Sequence, residues 1–147
     1  MRLYLEDIVV GTEYLSDEVT ITAEEIIAFA TQFDPQWFHL DPEAAVDSFF
    51  GGLVASGWHT AAITMRLLVT SGPQLAGGTI GAGGNISWPS ATRPGDRLRV
   101  RVTVQSVTAS KSNPTRGNLM LKVETLNSDD ELRQHFDVRV IVLARPQ

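Results

Sequence analysis

Gly51 to Gly72 reads GGLVASGWHTAAITMRLLVTSG. After a glycine pair and a cap at Ser56, the stretch runs through Trp58, Ala61, Ala62, Ile63, Met65, Leu67, Leu68 and Val69 and then meets Ser71, Gly72 and Pro73. Those last residues are ordinary helix stop signals. A surface helix carries one apolar stripe, whereas here apolar residues go most of the way round, so this helix is expected to be enclosed by other elements. At roughly 15 residues it is too short to cross a bilayer.

The wrapping comes later in the chain. In RLRVRVTVQSV, from Arg97, Leu98, Val100, Val102 and Val104 alternate with Arg99, Arg101, Thr103 and Gln105. That period of two marks a strand with one wet face. Leu119, Leu121 and Val123 repeat the pattern, as do Phe136, Val138, Val140 and Val142. Three such strands joined by short loops predict an antiparallel sheet whose dry face needs the helix as its partner. Earlier, EYLSDEVTI reads as a strand following a turn at Gly11 and Thr12, and Ile80, Ala82, Gly84, Ile86 and Trp88 alternate as another. The fold class is therefore α+β.

Composition fits this picture. A chain of 147 residues with 43% hydrophobic and 20% charged content is expected to be one domain, residues 1–147, with a real core. The absence of cysteine removes disulfides, thiolate metal sites and cysteine nucleophiles. A net charge of -5 without a basic cluster points away from nucleic acid, though not from an anionic ligand bound locally. MRLYLEDIVVG lacks the basic start and long apolar run of a signal peptide, which makes the cytoplasm the expected location and a membrane partner unexpected.

The chemistry, if any, lies between two helices. In ITAEEIIAFATQFD, Thr22 caps a helix and Glu25 closes a capping box, with Ile26, Phe29, Ala30 and Phe33 on one face. FDPQWFHLDPEAAVDSFFGG follows. Asp34 and His39 stand five residues apart on a loop that Pro35 keeps from continuing as helix, while Asp41 and Pro42 begin a short helix reaching Asp47. A carboxylate and an imidazole on one rigid loop can hold and deprotonate a water between them. The bland alternatives are a turn aspartate and a solvated histidine. Gly57, in the first turn of the apolar helix, can offer its N–H to a developing oxyanion, or can be an entry turn only. His59 is expected to be packed and hydrogen bonded, and His135 to be exposed. Lys111 and Arg116, in the loop KSNPTRG, are solvated cations or phosphate contacts.

A capped helix, then Asp34 and His39 in FDPQWFHLDPEAA, then GGLVASGWHT, then a strand ending in NISWPSATRPGD: this order resembles the MaoC-like dehydratases, relatives of the (R)-specific enoyl-CoA hydratases. The resemblance runs from about Gly11 to Val142. It implies a hot dog fold, in which an antiparallel sheet wraps a long central helix, and a homodimer in which two sheets join. It also implies reversible addition of water to a trans-2-enoyl-CoA, with Asp34 and His39 as the water-activating pair and Gly57 as oxyanion donor. Trp37, Ser56, Trp58, Asn85, Arg93, Lys111 and Arg116 form the substrate-binding set. No cofactor is implied, since coenzyme A is part of the substrate, and no metal. Three positions depart from the hydratase pattern: the loop is usually Asp-x-Asn-Pro-(aliphatic)-His, the residue before the glycine is often His where Ser56 stands here, and Thr64 and Met65 occupy the place of a serine that supports the aspartate. The rival readings are a non-catalytic acyl-CoA-binding module, a hot dog thioesterase and a metal site built on His39, Asp41 and His135. The thioesterase is disfavoured because no Asp or Glu occurs between Asp47 and Asp96.

Overall fold

The computed structural model describes residues 1–147. Its centre is an antiparallel sheet. Strands β1 (Glu13–Leu15), β2 (Val19–Thr20), β3 (Ile80–Ser87), β4 (Arg97–Ala109), β5 (Arg116–Leu126) and β6 (Leu132–Leu143) pair in the order β1-β4-β5-β6-β3, with β2 joined to one end of β4. The segment EYLSDEVTI, read as a single strand, thus forms two short ones. On the dry face Val100, Val102 and Val104 of β4, Leu119, Leu121 and Val123 of β5, and Val138, Val140 and Val142 of β6 make one buried cluster with Leu67, Leu68 and Leu75. Each such side chain, fully buried, contributes about 1.5–3 kcal/mol.

Four helices cross between β2 and β3. Helix α1 (Ala23–Phe33) starts at the expected capping box, in which the Thr22 hydroxyl accepts from Glu25 N–H and the Glu25 carboxylate accepts from Thr22 N–H. Ile26 and Ala30 are buried, but Phe33 at the end of the same stripe is 64% exposed. Residues 37–40, expected as loop, form a single turn, α2 (Trp37–Leu40). Asp41 caps α3 (Pro42–Ala45), which ends two residues short of Asp47.

Helix α4 (Gly57–Ser71) lies on the sheet against β4 and β6. It is not enclosed. Thr60, Thr64, Leu67 and Leu68 face the sheet, while Trp58, Ala62, Met65 and Val69 form an apolar stripe open to solvent. One sheet can cover only one side of a rod, which is why the all-round apolar pattern exceeds what the chain buries by itself.

The alternation read from Ile80 to Trp88 is also interrupted. The β3–β6 register shifts between Gly81 and Gly83, the latter at φ 142°, so Ala82 bulges and the strand changes face. Ile80 lies opposite Ile141 on the outer side, whereas Gly84 and Ile86 lie opposite Val138 and Phe136 on the inner side.

His59 of α4 stacks on Phe29 of α1 with ring centroids 4.6 Å apart. It is packed, as read from the sequence, but Nδ1 is buried without a hydrogen-bond partner, so the expected bond is missing. Burial holds the imidazole below its ordinary pKa of 6.5, opposed in part by the Glu25 carboxylate. A folded pKa below the unfolded one means that the unfolded chain takes up this proton first as pH falls, so the fold loses stability on the acid side of about 6.5. The His59→Phe protein is expected to show a smaller drop in denaturation midpoint than the parent between about pH 7.5 and pH 5. Separately, Leu121→Ala, at the middle of the dry face, is expected to cost about 2–5 kcal/mol in urea unfolding.

Candidate active site

Asp34 is the residue at which α1 ends; its N–H still bonds Ala30 O at 2.9 Å, while its φ and ψ of -151° and 68° turn the chain away. Pro35 forbids a further helical turn. The chain then winds through α2, and His39 arrives with its Nε2 3.2 Å from Asp34 Oδ2. His39 is 5% exposed, which removes the solvated-loop alternative.

Two further contacts fix the pair. His39 Nδ1 lies 2.6 Å from the Val54 carbonyl oxygen. A carbonyl only accepts, so Nδ1 carries the hydrogen and Nε2 is the nitrogen that faces the carboxylate. The other carboxylate oxygen, Oδ1, accepts from Gln36 Nε2 at 2.6 Å. Burial pushes the Asp34 carboxyl upward, but donors from Gln36, Ser56 and His39, together with the imidazole's charge, outweigh it and hold the pKa below the ordinary 3.8. Asp34 is therefore held as carboxylate. The central helix position read for its support does not reach it: Thr64 Oγ1 is engaged with Thr60 O at 2.8 Å and Thr125 Oγ1 at 2.6 Å.

Ser56 also caps α4, accepting from Trp58 N–H at 3.3 Å. Gly57 is thus the first residue of α4, where N–H groups have no intrahelical partner and the helix dipole is positive. Gly57 and His39 line one cavity of about 240 Å³ together with Phe38, Phe50, Ala55, Thr60, Trp88, Ser90, Ala91 and Thr92. Its lining mixes apolar side chains with hydroxyls, of which Thr60 Oγ1 donates to Thr92 Oγ1 at 2.9 Å.

Of the remaining residues read as substrate contacts, some gather here. Trp37 packs edge-on against the cavity residue Phe38, Trp58 packs edge-on against Trp88, and the Arg93 guanidinium donates to the Phe50 carbonyl at 2.8 Å. Others do not. Asn85 sits on the exposed edge strand opposite Asp137, on the outer side. Lys111 lies in the β4–β5 hairpin, and Arg116, opposite Leu143, borders a small polar cleft with Arg139 at the far end of β6 from the Trp88–Gln134 contact. His135, read as exposed, is half-buried and pairs with Asp137 at 3.1 Å, so it does not join His39 and Asp41, and no group of three potential metal-ligating side chains converges anywhere.

Sequence reasoning passed over Phe38, Phe50, Ala55, Thr92 and Gln134. Only Trp88 carried a signal, as the large residue closing a glycine-rich strand. The Val54 carbonyl carried none, because a backbone acceptor has no residue signature.

Comparison with known proteins identifies the fold and the family. The family described as "MaoC like domain" matches residues 7–125. The MaoC-like dehydratase of Rhodospirillum rubrum is 55% identical in sequence and superposes with a TM-score of 0.95 over 99% of both chains. The 3-hydroxyacyl-thioester dehydratase Z of Mycobacterium tuberculosis is 38% identical over 98 residues, 63% of each protein. An R-hydratase from Pseudomonas aeruginosa, at 19% identity, shares the hot dog fold with a TM-score of 0.76 over 98% of this chain and 88% of its own. The chain spans between 48% and 63% of the length of the curated relatives it matches first. With the family model matching residues 7–125 and the whole architecture shared with the Rhodospirillum rubrum protein, the chain belongs to the MaoC-like dehydratase family.

Proposed function

We propose that this chain adds water reversibly across the double bond of a trans-2-enoyl-CoA, giving the (R)-3-hydroxyacyl-CoA. The observation that carries the reading is the Asp34–His39 contact at 3.2 Å, beside a cavity that also reaches the first amide of α4. Family membership makes dehydratase chemistry the frame; the thioester, its handle and its stereochemistry are the proposal.

In this reading the thioester carbonyl oxygen accepts a hydrogen bond from Gly57 N–H. Negative charge that develops on that oxygen during attack meets a fixed donor and a helix dipole, an arrangement whose donors are each worth about 10²–10³ in rate. Because Nδ1–H is committed to Val54, a neutral His39 turns a lone pair toward the Asp34 carboxylate. Two acceptors facing each other need a proton between them, so the resting pair carries one. Water bonds through its oxygen to C3 and gives a proton to the pair, and the pair gives its own proton to C2. One proton is held before and after. The reverse sequence expels water from the hydroxyacyl thioester through the same transition state.

The same reading makes the protein a homodimer. The stripe of Trp58, Met65 and Val69 is 59%, 40% and 42% exposed, and beside it β3 offers an unpaired edge with Ile80 on it. Apolar stripes and open edges are both liabilities that a second copy removes. Arg93, at the cavity mouth, suits a phosphate-bearing handle, and Lys111 and Arg116 stand too far along the sheet to share it within one chain.

Asp34→Asn and His39→Gln, each shown folded by circular dichroism, are expected to lose about 10²–10⁴ in kcat on enoyl-CoA, followed as loss of the conjugated thioester absorbance. Activity equal to the parent's in either would remove the pair from the mechanism. Met65→Asp is expected to shift the sedimenting species from dimer to monomer; a parent that already sediments as a monomer at micromolar concentration would refute the dimer.

A further inference from the structure

Trp88 stands in an unusual relation to the site. The inner face of β3 ends at this residue, and its indole lies flat against Gly57, so closely that a Cβ built at Gly57 would fall 2.6 Å from Cε2 and 2.8 Å and 2.9 Å from two neighbouring ring atoms. Glycine at 57 therefore serves the indole as well as the substrate. The ring lines the same cavity as His39, Phe38, Phe50 and Ala91. Trp58 buttresses it edge-on, with centroids 5.2 Å apart and planes at 81°.

What holds the ring is Gln134. Trp88 Nε1–H donates to Gln134 Oε1 at 2.9 Å. Gln134 is fully buried on β6, and its amide nitrogen has no partner. An indole nitrogen only donates, so the amide cannot be turned the other way to satisfy that nitrogen. A glutamine left half-paired in the interior is worse for stability than a leucine of similar size. Its one satisfied bond is the bond to Trp88, so its polarity serves to fix the angle of that ring.

Building on the hydration reading above, we propose that Trp88, positioned by Gln134, is the wall that limits acyl length, and that this is a site for short-chain enoyl thioesters. With the thioester oxygen on Gly57 and C3 beside His39, the indole packed on Gly57 shares the cavity with the acyl chain, and in this proposal the tail lies across its face. The cavity holds about 240 Å³, below the roughly 300–1,000 Å³ of typical small-molecule sites, which suits a short acyl chain. A tail that is several methylenes longer must displace the ring, and Gln134 opposes the displacement.

The test measures kcat/KM for trans-2-enoyl-CoAs from four to ten carbons in the parent, Trp88→Ala, Trp88→Leu and Gln134→Leu. The parent is expected to favour the four-carbon substrate over the eight-carbon one by about 10-fold or more, the low end of what a single methylene is worth in a tight pocket. Either Trp88 variant is expected to erase that preference, mostly through KM for the long chains; the leucine variant keeps the test alive if the alanine variant does not fold. Gln134→Leu is expected to move the profile in the same direction in the parent and not at all in a Trp88→Phe background, which has bulk but no N–H. A merely structural Gln134 would act alike in both backgrounds. A parent profile that is flat with length, or one unchanged in a folded Trp88 variant, overturns the proposal. Calorimetric affinities for saturated acyl-CoAs of the same lengths separate the two readings. Length-graded binding that Trp88→Leu abolishes, with no turnover of any enoyl-CoA by the parent, refutes hydration while upholding the wall; no binding of any length refutes both.

Discussion

The hydrogen bond from His39 Nδ1 to the Val54 carbonyl, 2.6 Å long, is the constraint on which the site rests. It joins two stretches fifteen residues apart, and it decides which ring nitrogen meets Asp34. Val54 N–H returns a bond to Phe38 O at 3.3 Å, so α2 and the segment entering α4 are clasped in both directions. One residue on, Ala55 N–H bonds Thr92 O, and the next residue caps α4. Asp34, His39 and Gly57 are thereby set by a short series of backbone links and not by long flexible side chains.

A second brace lies behind the cavity wall. The Arg133 guanidinium, 8% exposed, bonds Asp96 through Nε at 3.0 Å and Ser90 through Nη1 at 3.0 Å. Asp96 also accepts from Arg93 N–H at 2.9 Å, closing the turn that precedes β4. Strand β6 and the segment 90–96 that forms one side of the cavity are thus tied by charge-assisted bonds. Removing one member of such a buried pair strands the other charge and costs about 3–5 kcal/mol, which makes this wall stiff.

The sheet and both long helices were legible in the chain, because period-two valines on β4 and β6 and the Thr22–Glu25 box are local signals that tertiary packing has no reason to override. The Asp34–His39 pair was legible as spacing, and Pro35 explained why those residues leave the helix. What remained hidden has a common cause. The Ala82 bulge depends on pairing with β6 and is invisible to an alternation count. The exposed side of α4 looks like core in sequence, since apolar residues do not say which face of a helix the sheet will take. Gln134 as the holder of Trp88 is a contact between residues distant in sequence, and glutamine is a type common everywhere.

The threonines of α4 have a consequence for accuracy. Thr60 and Thr64, each 1% exposed, carry hydroxyls that are matched across to Thr92 and Thr125. A purely greasy rod could slip along a greasy sheet at small cost. Here an axial slip of one turn, about 5.4 Å, would break both matches and leave the hydroxyls of Thr60, Thr92 and Thr125 without these partners. The interior thus indexes the rod like a notch on a shaft, and the tolerance with which the amide of residue 57 sits at the cavity is machined three and seven residues further along.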